Sequence, residues 1–322
     1  MLTRRSRLLP LVAVLAVTPG CLPTVRATPP PADAPAKLVA LSGASIMIGA
    51  GDIASCKQSN DELTARLVDS VLRADSVEKV NDAVFTLGDN VYDDGTASEF
   101  VNCFTPTWGD SAKRIMKKIH PSPGNHEYYT PSANAYYRYF GASAGAPEKG
   151  YYSYDVGTWH VVALNSEMVV NSGFSAAERK AQEDWLIQDL KDHAKPCTLA
   201  YFHHPRYSSG YHGSDVSLRP LWQIMYDNNV DLVLVGHDHD YERFLPQTPD
   251  AAVDTLRGIP EIVVGTGGEE LRGFGGTAIR NSVMRIEGRA GVLILTLGAA
   301  EYRSVFLEVG GRIWDPSGGK CH

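Results

Sequence analysis

The chain has 322 residues, 43% of them hydrophobic, so it can bury a sizeable core and is not a disordered polymer. Its formal charge of −7 gives it no overall attraction for nucleic acid or anionic lipid, and no nucleic-acid partner is expected. An anionic small molecule would have to be drawn in by local charge, such as that of a metal site.

Residues 1–20 read as an export signal. Arg4, Arg5 and Arg7 precede the apolar stretch Leu8 to Val17, which is too short to span a bilayer. Thr18-Pro19-Gly20-Cys21 resembles a bacterial lipoprotein cleavage box, with Thr18 where Leu is usual and Cys21 as the lipidated residue. Thr3 to Leu8 faintly resembles a twin-arginine signal, with Arg7 in the place of Phe. The expected location is outside the cytoplasm: a periplasmic or cell-surface lipoprotein tethered to the membrane through Cys21, or a secreted protein. Residues 21–37, rich in Pro, Ala and Thr, read as an extended tether. Residues 38–322 show no internal repeat and no convincing linker, and are expected to form one catalytic domain. With Cys21 set aside, Cys56, Cys103, Cys197 and Cys321 remain. An even count in an exported protein suggests two disulfides, and four cysteines allow three pairings.

Along the domain, strand signals repeatedly end in Asp, Asn or His. Ile46–Ile48 leads into Asp52. A helical pattern over 61–75 puts Leu63, Leu67, Val68, Val71 and Leu72 on one face. Ala83–Leu87 runs into Gly88-Asp89-Asn90-Val91-Tyr92, and a turn follows at Pro121-Ser122-Pro123-Gly124-Asn125-His126-Glu127. Tyr151–Val156 and Trp159–Asn165 read as paired strands around Gly157. The capping box Ser175-Ala176-Ala177-Glu178 opens a helix to about Asp192, with Trp185, Leu186 and Leu190 inward. Cys197–Phe202 is a strand ending at His203-His204-Pro205, and 219–226 is helical. The apolar run Val230–Val235 reads as a buried strand that delivers Gly236-His237-Asp238-His239-Asp240-Tyr241-Glu242-Arg243. His237 and His239, two apart in a loop, can turn both rings toward one small volume. A strand at Ile262–Val264 ends in Gly265 to Gly268, which reads as a tight turn because no Lys or helix start follows it. Residues 291–297 and 302–309 alternate like an antiparallel pair. Early alternation of strands and helices, then more strands, argues α/β with mixed sheets.

Asp52, then Asp89 with Tyr92, then Asn125 with His126, then His203, then His237 with His239 form an ordered set over five loops. This set resembles the calcineurin-like metallophosphoesterase superfamily, and within it the purple acid phosphatase branch, over roughly residues 46–242. Many superfamily members carry a His two residues after the first Asp, where this chain has Ala54. Tyr92, three residues after Asp89, supplies the phenol that the branch uses instead. The resemblance implies a four-layer α-β-β-α sandwich with two mixed β-sheets and a dinuclear metal site at strand carboxyl ends. One metal would take Asp52, Asp89, Tyr92 and His239. The other would take Asp89, Asn125, His203 and His237, with Asp89 bridging. The phenolate suits Fe(III), beside Fe, Zn or Mn. A hydroxide held between the metals would attack phosphorus. His126 and His212 are the candidate acids for the leaving group, His212 standing nine residues after His203.

The resemblance implies a phosphomonoesterase acting on a phosphate-ester small molecule. A phosphodiesterase or nucleotidase could use the same residues, and a non-catalytic metal-binding lipoprotein is the reading from another class. His203, two before Pro205, is the expected ligand, with His204 structural. Glu242 and Arg243 are expected to be a buried structural pair. The loops carrying Cys56 and Cys103 both leave strand ends on the metal side, which argues for Cys56–Cys103. Cys197–Cys321 would then pin the C-terminal tail to the core.

Overall fold

A computed structural model describes residues 44–74 and 82–322. The export signal, the tether and Cys21 lie outside the described residues. Two large mixed sheets face each other. One has six strands, in the spatial order 313–320, 301–308, 291–297, 45–50, 83–87, 119–122. The other has seven, in the order 282–286, 241–244, 261–264, 232–235, 197–201, 159–163, 152–156. Ser45–Ala50, Ala83–Leu87 and Ile119–Ser122 are parallel. So are Trp159–Ala163, Cys197–Tyr201, Leu232–Val235 and Glu261–Val264. The remaining strands join antiparallel.

Period-two alternation makes the layers. Val161, Ala163, Leu199, Tyr201, Leu232 and Leu234 point into the core shared with the six-stranded sheet. Their neighbours Val162, Ala200, Val233 and Val235 point outward, under Leu186 and Leu190 of the helix Ala176–Asp192 and Leu221, Trp222 and Met225 of the helix Arg219–Asp227. The helix Asn60–Ala74 covers the other side through Val68, Val71 and Leu72, with Leu63 and Leu67 half-buried at its edge. This is the expected α-β-β-α sandwich. The capping box is formed on both sides, Ser175 to Glu178. Trp185 is half-buried rather than inward, lying against Tyr151 with ring centroids 4.8 Å apart.

Two disulfides are present, Cys56–Cys103 and Cys197–Cys321, with Cα separations of 4.9 and 5.3 Å. No helix among the described residues is long and apolar enough to cross a membrane. Glu242 and Arg243 do not pair with each other. They alternate across a strand, so Glu242 accepts from Ser209 and Ser282 while Arg243 pairs with Asp315 at 2.6 Å. Gly265–Gly268 is not a phosphate cradle: Gly267 N–H donates to the Gly51 carbonyl and Glu269 N–H to that of Asp52, docking the segment on the first loop.

Candidate metal centre

Five parallel strands, drawn from both sheets, end at one edge of the sandwich. Asp52 follows Ala50 by two residues, Asp89 follows Leu87, His203 follows Tyr201 and His237 follows Val235, while Asn125 lies three past Ser122. Asp52, Asp89 and His237 have positive φ, at 59°, 48° and 69°. L residues with side chains rarely adopt that conformation, and it costs about 1–3 kcal/mol unless the surroundings impose it. Here close packing imposes it. A Cβ on Gly88 would lie 2.6 Å from the His203 ring, and one on Gly124 2.3 Å from the Asp89 carboxylate.

The donors meet in two groups. The Tyr92 hydroxyl is 2.7 Å from Asp52 Oδ1, 3.0 Å from Asp89 Oδ2 and 3.3 Å from His239 Nε2. His203 Nε2 is 3.2 Å from Asp89 Oδ2, 3.1 Å from Asn125 Oδ1 and 3.1 Å from His237 Nδ1. Asp89 Oδ2 belongs to both groups. The imidazoles are oriented from behind: His203 Nδ1–H donates to the Leu87 carbonyl and His239 Nδ1–H to the Glu270 carbonyl, both at 2.7 Å. That leaves Nε2 of each facing inward, as a ligand histidine requires.

These residues fit a pair of cations. Separations of about 3 Å between donors are what shared bonds of about 2.0–2.2 Å produce. Two imidazole nitrogens facing each other need a proton or a cation between them. The site seeks positive charge: burial resists ionisation of His203, but the Asp89 carboxylate outweighs it and pushes the imidazole up to about 10. Burial also opposes ionised Asp52 and Asp89, yet the histidines beside them hold both carboxyls below the usual range. Tyr92 is held well above its ordinary value by burial and by the two carboxylates, so a cation is needed to bring out its phenolate.

Both candidate acids border the donors. His126 N–H donates to Asp89 Oδ1 at 2.9 Å, and its Nδ1–H donates to the Asp93 carbonyl. Its Nε2 then lies 3.8 Å from Asp89 Oδ2. The His212 ring lies 4.1 Å from that of His237, and its Nε2 accepts from Arg272 Nη1 at 2.6 Å. Burial, aided by Arg272 and opposed by Asp238, holds His212 below its ordinary value. His204 is turned to Ser166 Oγ at 2.9 Å and Glu167 Oε1 at 3.5 Å, while its ring flanks His237 at 4.4 Å.

Sequence reading missed the residues that hold these loops. Glu127 is fully buried and accepts from the N–H groups of Asn90, Val91 and Gly124, tying the second loop to the third. Burial and Asp89 push its carboxyl up to about 8. Its place two residues after Asn125 was the available signal. Asp238 accepts from the N–H groups of His212 and Gly213 and from the Ser208 hydroxyl, which draws the His212 loop against the His237 loop. Arg272 comes from an irregular loop without a pattern to announce it. Asp240 is 1% exposed with no partner for either oxygen; burial, then Asp238, Glu242 and Asp52, push it up to about 9, so it is a neutral acid at pH 7.

Two mixed sheets that bring carboxylate, phenol, carboxamide and imidazole donors together at one strand edge define a metallophosphoesterase. The chain belongs to the calcineurin-like phosphoesterase family, whose model matches residues 48–241. It is similar to human acid phosphatase type 7, at 28% identity over 199 residues, covering 54% of this chain and 43% of that protein. It is also similar to purple acid phosphatase 23 of Arabidopsis thaliana, at 29% identity over 151 residues, covering 42% of this chain and 32% of that protein. The chain thus spans less than half the length of either relative. The structure of a purple acid phosphatase from yellow lupin (Lupinus luteus) seeds shares the fold, with a TM-score of 0.67 at 18% identity over 87% of this chain and 54% of that one.

Proposed function

We propose that this chain is an exported dinuclear-metal phosphoric ester hydrolase, and that it acts as a phosphomonoesterase of the purple acid phosphatase kind. In this reading 1–20 is the signal, 21–37 the tether and 38–322 the catalytic domain. The observation that carries it is the Tyr92 hydroxyl, within 3.3 Å of Asp52, Asp89 and His239. Asp52, Asp89, Tyr92 and His239 would hold one ion, and Asp89, Asn125, His203 and His237 the other. A trivalent iron beside iron, zinc or manganese would supply positive charge for the phosphoryl group and acidify a water.

The chain's own residues do the rest. Asp52 and Asp89 are shut from bulk solvent, at 0% and 1% exposure, so the field they make at the site is little screened. His126 keeps its Nδ1 proton on the Asp93 carbonyl, which turns Nε2 toward the substrate side, where it can carry a proton to the departing oxygen. His212 stands against His237, with its loop fixed by Asp238. General acids so placed typically give about 10²–10⁴-fold in rate.

The test is turnover of p-nitrophenyl phosphate, its bis-ester and ATP by purified protein of measured metal content. Faster turnover of the monoester than of the bis-ester is expected. Preference for the bis-ester would overturn the monoesterase assignment, and no turnover by fully metallated protein would overturn the hydrolase.

A further inference from the structure

A cavity of about 250 Å³ opens at the far end of the sandwich from the metal centre. It lies where the strands Leu232–Val235 and Glu261–Val264 begin, and the residues just before them, Asp231 and Pro260, line it. Phe244, Pro246, Pro260 and Leu256 give it an apolar wall, with Leu256 81% exposed on the solvent side.

The other wall is made of donors. Tyr302 is 6% exposed and meets Trp159 edge-on at 5.9 Å, which fixes its ring. Its hydroxyl has no hydrogen-bond partner among the described residues, although a hydroxyl on a buried ring ordinarily finds one. The way to that hydroxyl is open because Gly319 stands directly opposite on the next strand: a Cβ there would lie 2.8 Å from the Tyr302 ring and 3.2 Å from the hydroxyl. Arg243 spends Nε and Nη2 on Asp315, at 2.6 and 2.8 Å, and its Nη1 has no partner among the described residues. Lys320 lines the cavity, is exposed and forms no ion pair among them. The one carboxylate in the lining is already engaged. Asp231 Oδ2 accepts from the Thr198 N–H at 2.7 Å, and Oδ1 accepts from the His322 N–H at 2.8 Å and its ring Nδ1–H at 2.6 Å.

We infer that this cavity is a binding site for a small organic monoanion, a carboxylate carried on an apolar ring or branched chain. Arg243 Nη1, Lys320 Nζ and the Tyr302 hydroxyl meet the carboxylate oxygens, which accept only and offer about four lone-pair positions. Asp315 already offsets the charge of Arg243, so the charge left to attract a ligand is that of Lys320, and one negative charge matches it. The apolar wall takes the body of the ligand. The volume falls below the roughly 300–1,000 Å³ of pockets for drug-sized molecules, which limits the ligand to something near benzoate in size. The site needs no metal and does not depend on the hydrolase reading.

The probe is benzoate, with benzamide as its uncharged counterpart of the same shape, titrated calorimetrically into the metal-loaded full chain. Benzoate is expected to bind at millimolar concentration or below, and benzamide about ten-fold more weakly, the scale of a hydrogen bond to a charged group. Tyr302→Phe removes a hydroxyl that bonds nothing in the protein, so its unfolding midpoint should match that of the parent while benzoate binding falls about ten-fold. Lys320→Gln, a surface change, should weaken benzoate similarly, and neither variant should alter benzamide binding. Benzoate at these concentrations should leave the KM for p-nitrophenyl phosphate unchanged. No binding of benzoate, binding undiminished in either variant, or competition with p-nitrophenyl phosphate at the concentration that saturates the protein overturns the site.

Discussion

Two clusters of histidine and carboxylate occur in the sandwich, one just past the carboxyl ends of parallel strands and the other where the amino end of Trp159–Ala163 meets the end of the helix Ala176–Asp192. At the carboxyl edge are Asp52, Asp89 and His203; at the amino edge are His160, Asp189 and His193. In each, the candidate ligand atoms lie within 4.8 Å of one another. By residue type and spacing the two are alike, yet their hydrogen bonds run differently. In the amino-edge cluster the groups satisfy one another. His160 meets Asp155 at 3.3 Å and Asp189 at 2.8 Å, and Ser153 and His193 complete Asp189. At the carboxyl edge His203 and His239 spend their Nδ1 protons on backbone carbonyls, and His203 Nε2 faces His237 Nδ1 at 3.1 Å with no carboxylate between them. Its backbone also holds left-handed φ at Asp52, Asp89 and His237, whereas none of the amino-edge residues does. Orientation and left-handed backbone, more than composition, set the candidate metal cluster apart.

Exchanging substitutions between the two ends should break the symmetry. Asp89→Ala removes the oxygen common to both donor groups and should cost about 10²–10³-fold or more in turnover, with metal lost on analysis. Asp189→Ala should leave metal content and turnover as they were. Because it strands a buried imidazole, it should instead cost about 3 kcal/mol of stability in urea unfolding. Equal effects of the two variants on metal content would erase the distinction.

The pH dependence sharpens it. Burial opposes charge on His160, but Asp189 and Asp155 outweigh it and hold the imidazole above its ordinary 6.5. Its contribution is therefore full below pH 6.5 and fades as pH rises through the folded value. Burial likewise opposes ionised Asp189 and Asp155, while His160 and, for Asp155, Lys195 hold them below their ordinary 3.8. Their contribution fades as pH falls below that value. The stability difference between parent protein and His160→Gln should peak between about pH 4 and 6.5 and shrink on both sides. A difference that grows above pH 7 would contradict the pairing. The smallest effect is expected at Asp240→Asn, which replaces a neutral acid by a neutral amide of the same shape and should cost about 1 kcal/mol, the scale of one buried donor left without a partner.

Asp52, Asp89, His203 and His237 could be read from sequence because each closely follows an apolar strand run, and position along a strand survives in one dimension. The Cys56–Cys103 disulfide was legible for a like reason, since its cysteines follow Asp52 and Tyr92 closely, whereas Cys197–Cys321 joins the start of a strand to the C-terminal tail. What was lost lacks a period. The strand Ile119–Ser122 contains Pro121 and reads as a turn, yet it pairs with Ala83–Leu87 and carries Asn125. Ile313–Lys320, with Pro316 and two glycines, shows no alternation but completes the six-stranded sheet and brings Asp315 to Arg243. Glu127, Asp238 and Arg272 act through backbone groups or neighbouring loops, and such partnerships exist only once the chain is folded. The amino-edge cluster shows the converse: His160 and His193 are separated by a strand and a helix, and no sequence pattern joins them.

In the proposed centre Tyr92, with Asp52, Asp89 and His239, holds one of two ions at the carboxyl edge. Visible absorption together with metal analysis of the oxidised protein and of Tyr92→Phe tests it most directly. Two ions per chain are expected, iron among them, with a phenolate-to-iron charge-transfer band that Tyr92→Phe abolishes. A band that survives in Tyr92→Phe, or an active, fully metallated protein that is colourless and free of iron, would contradict it.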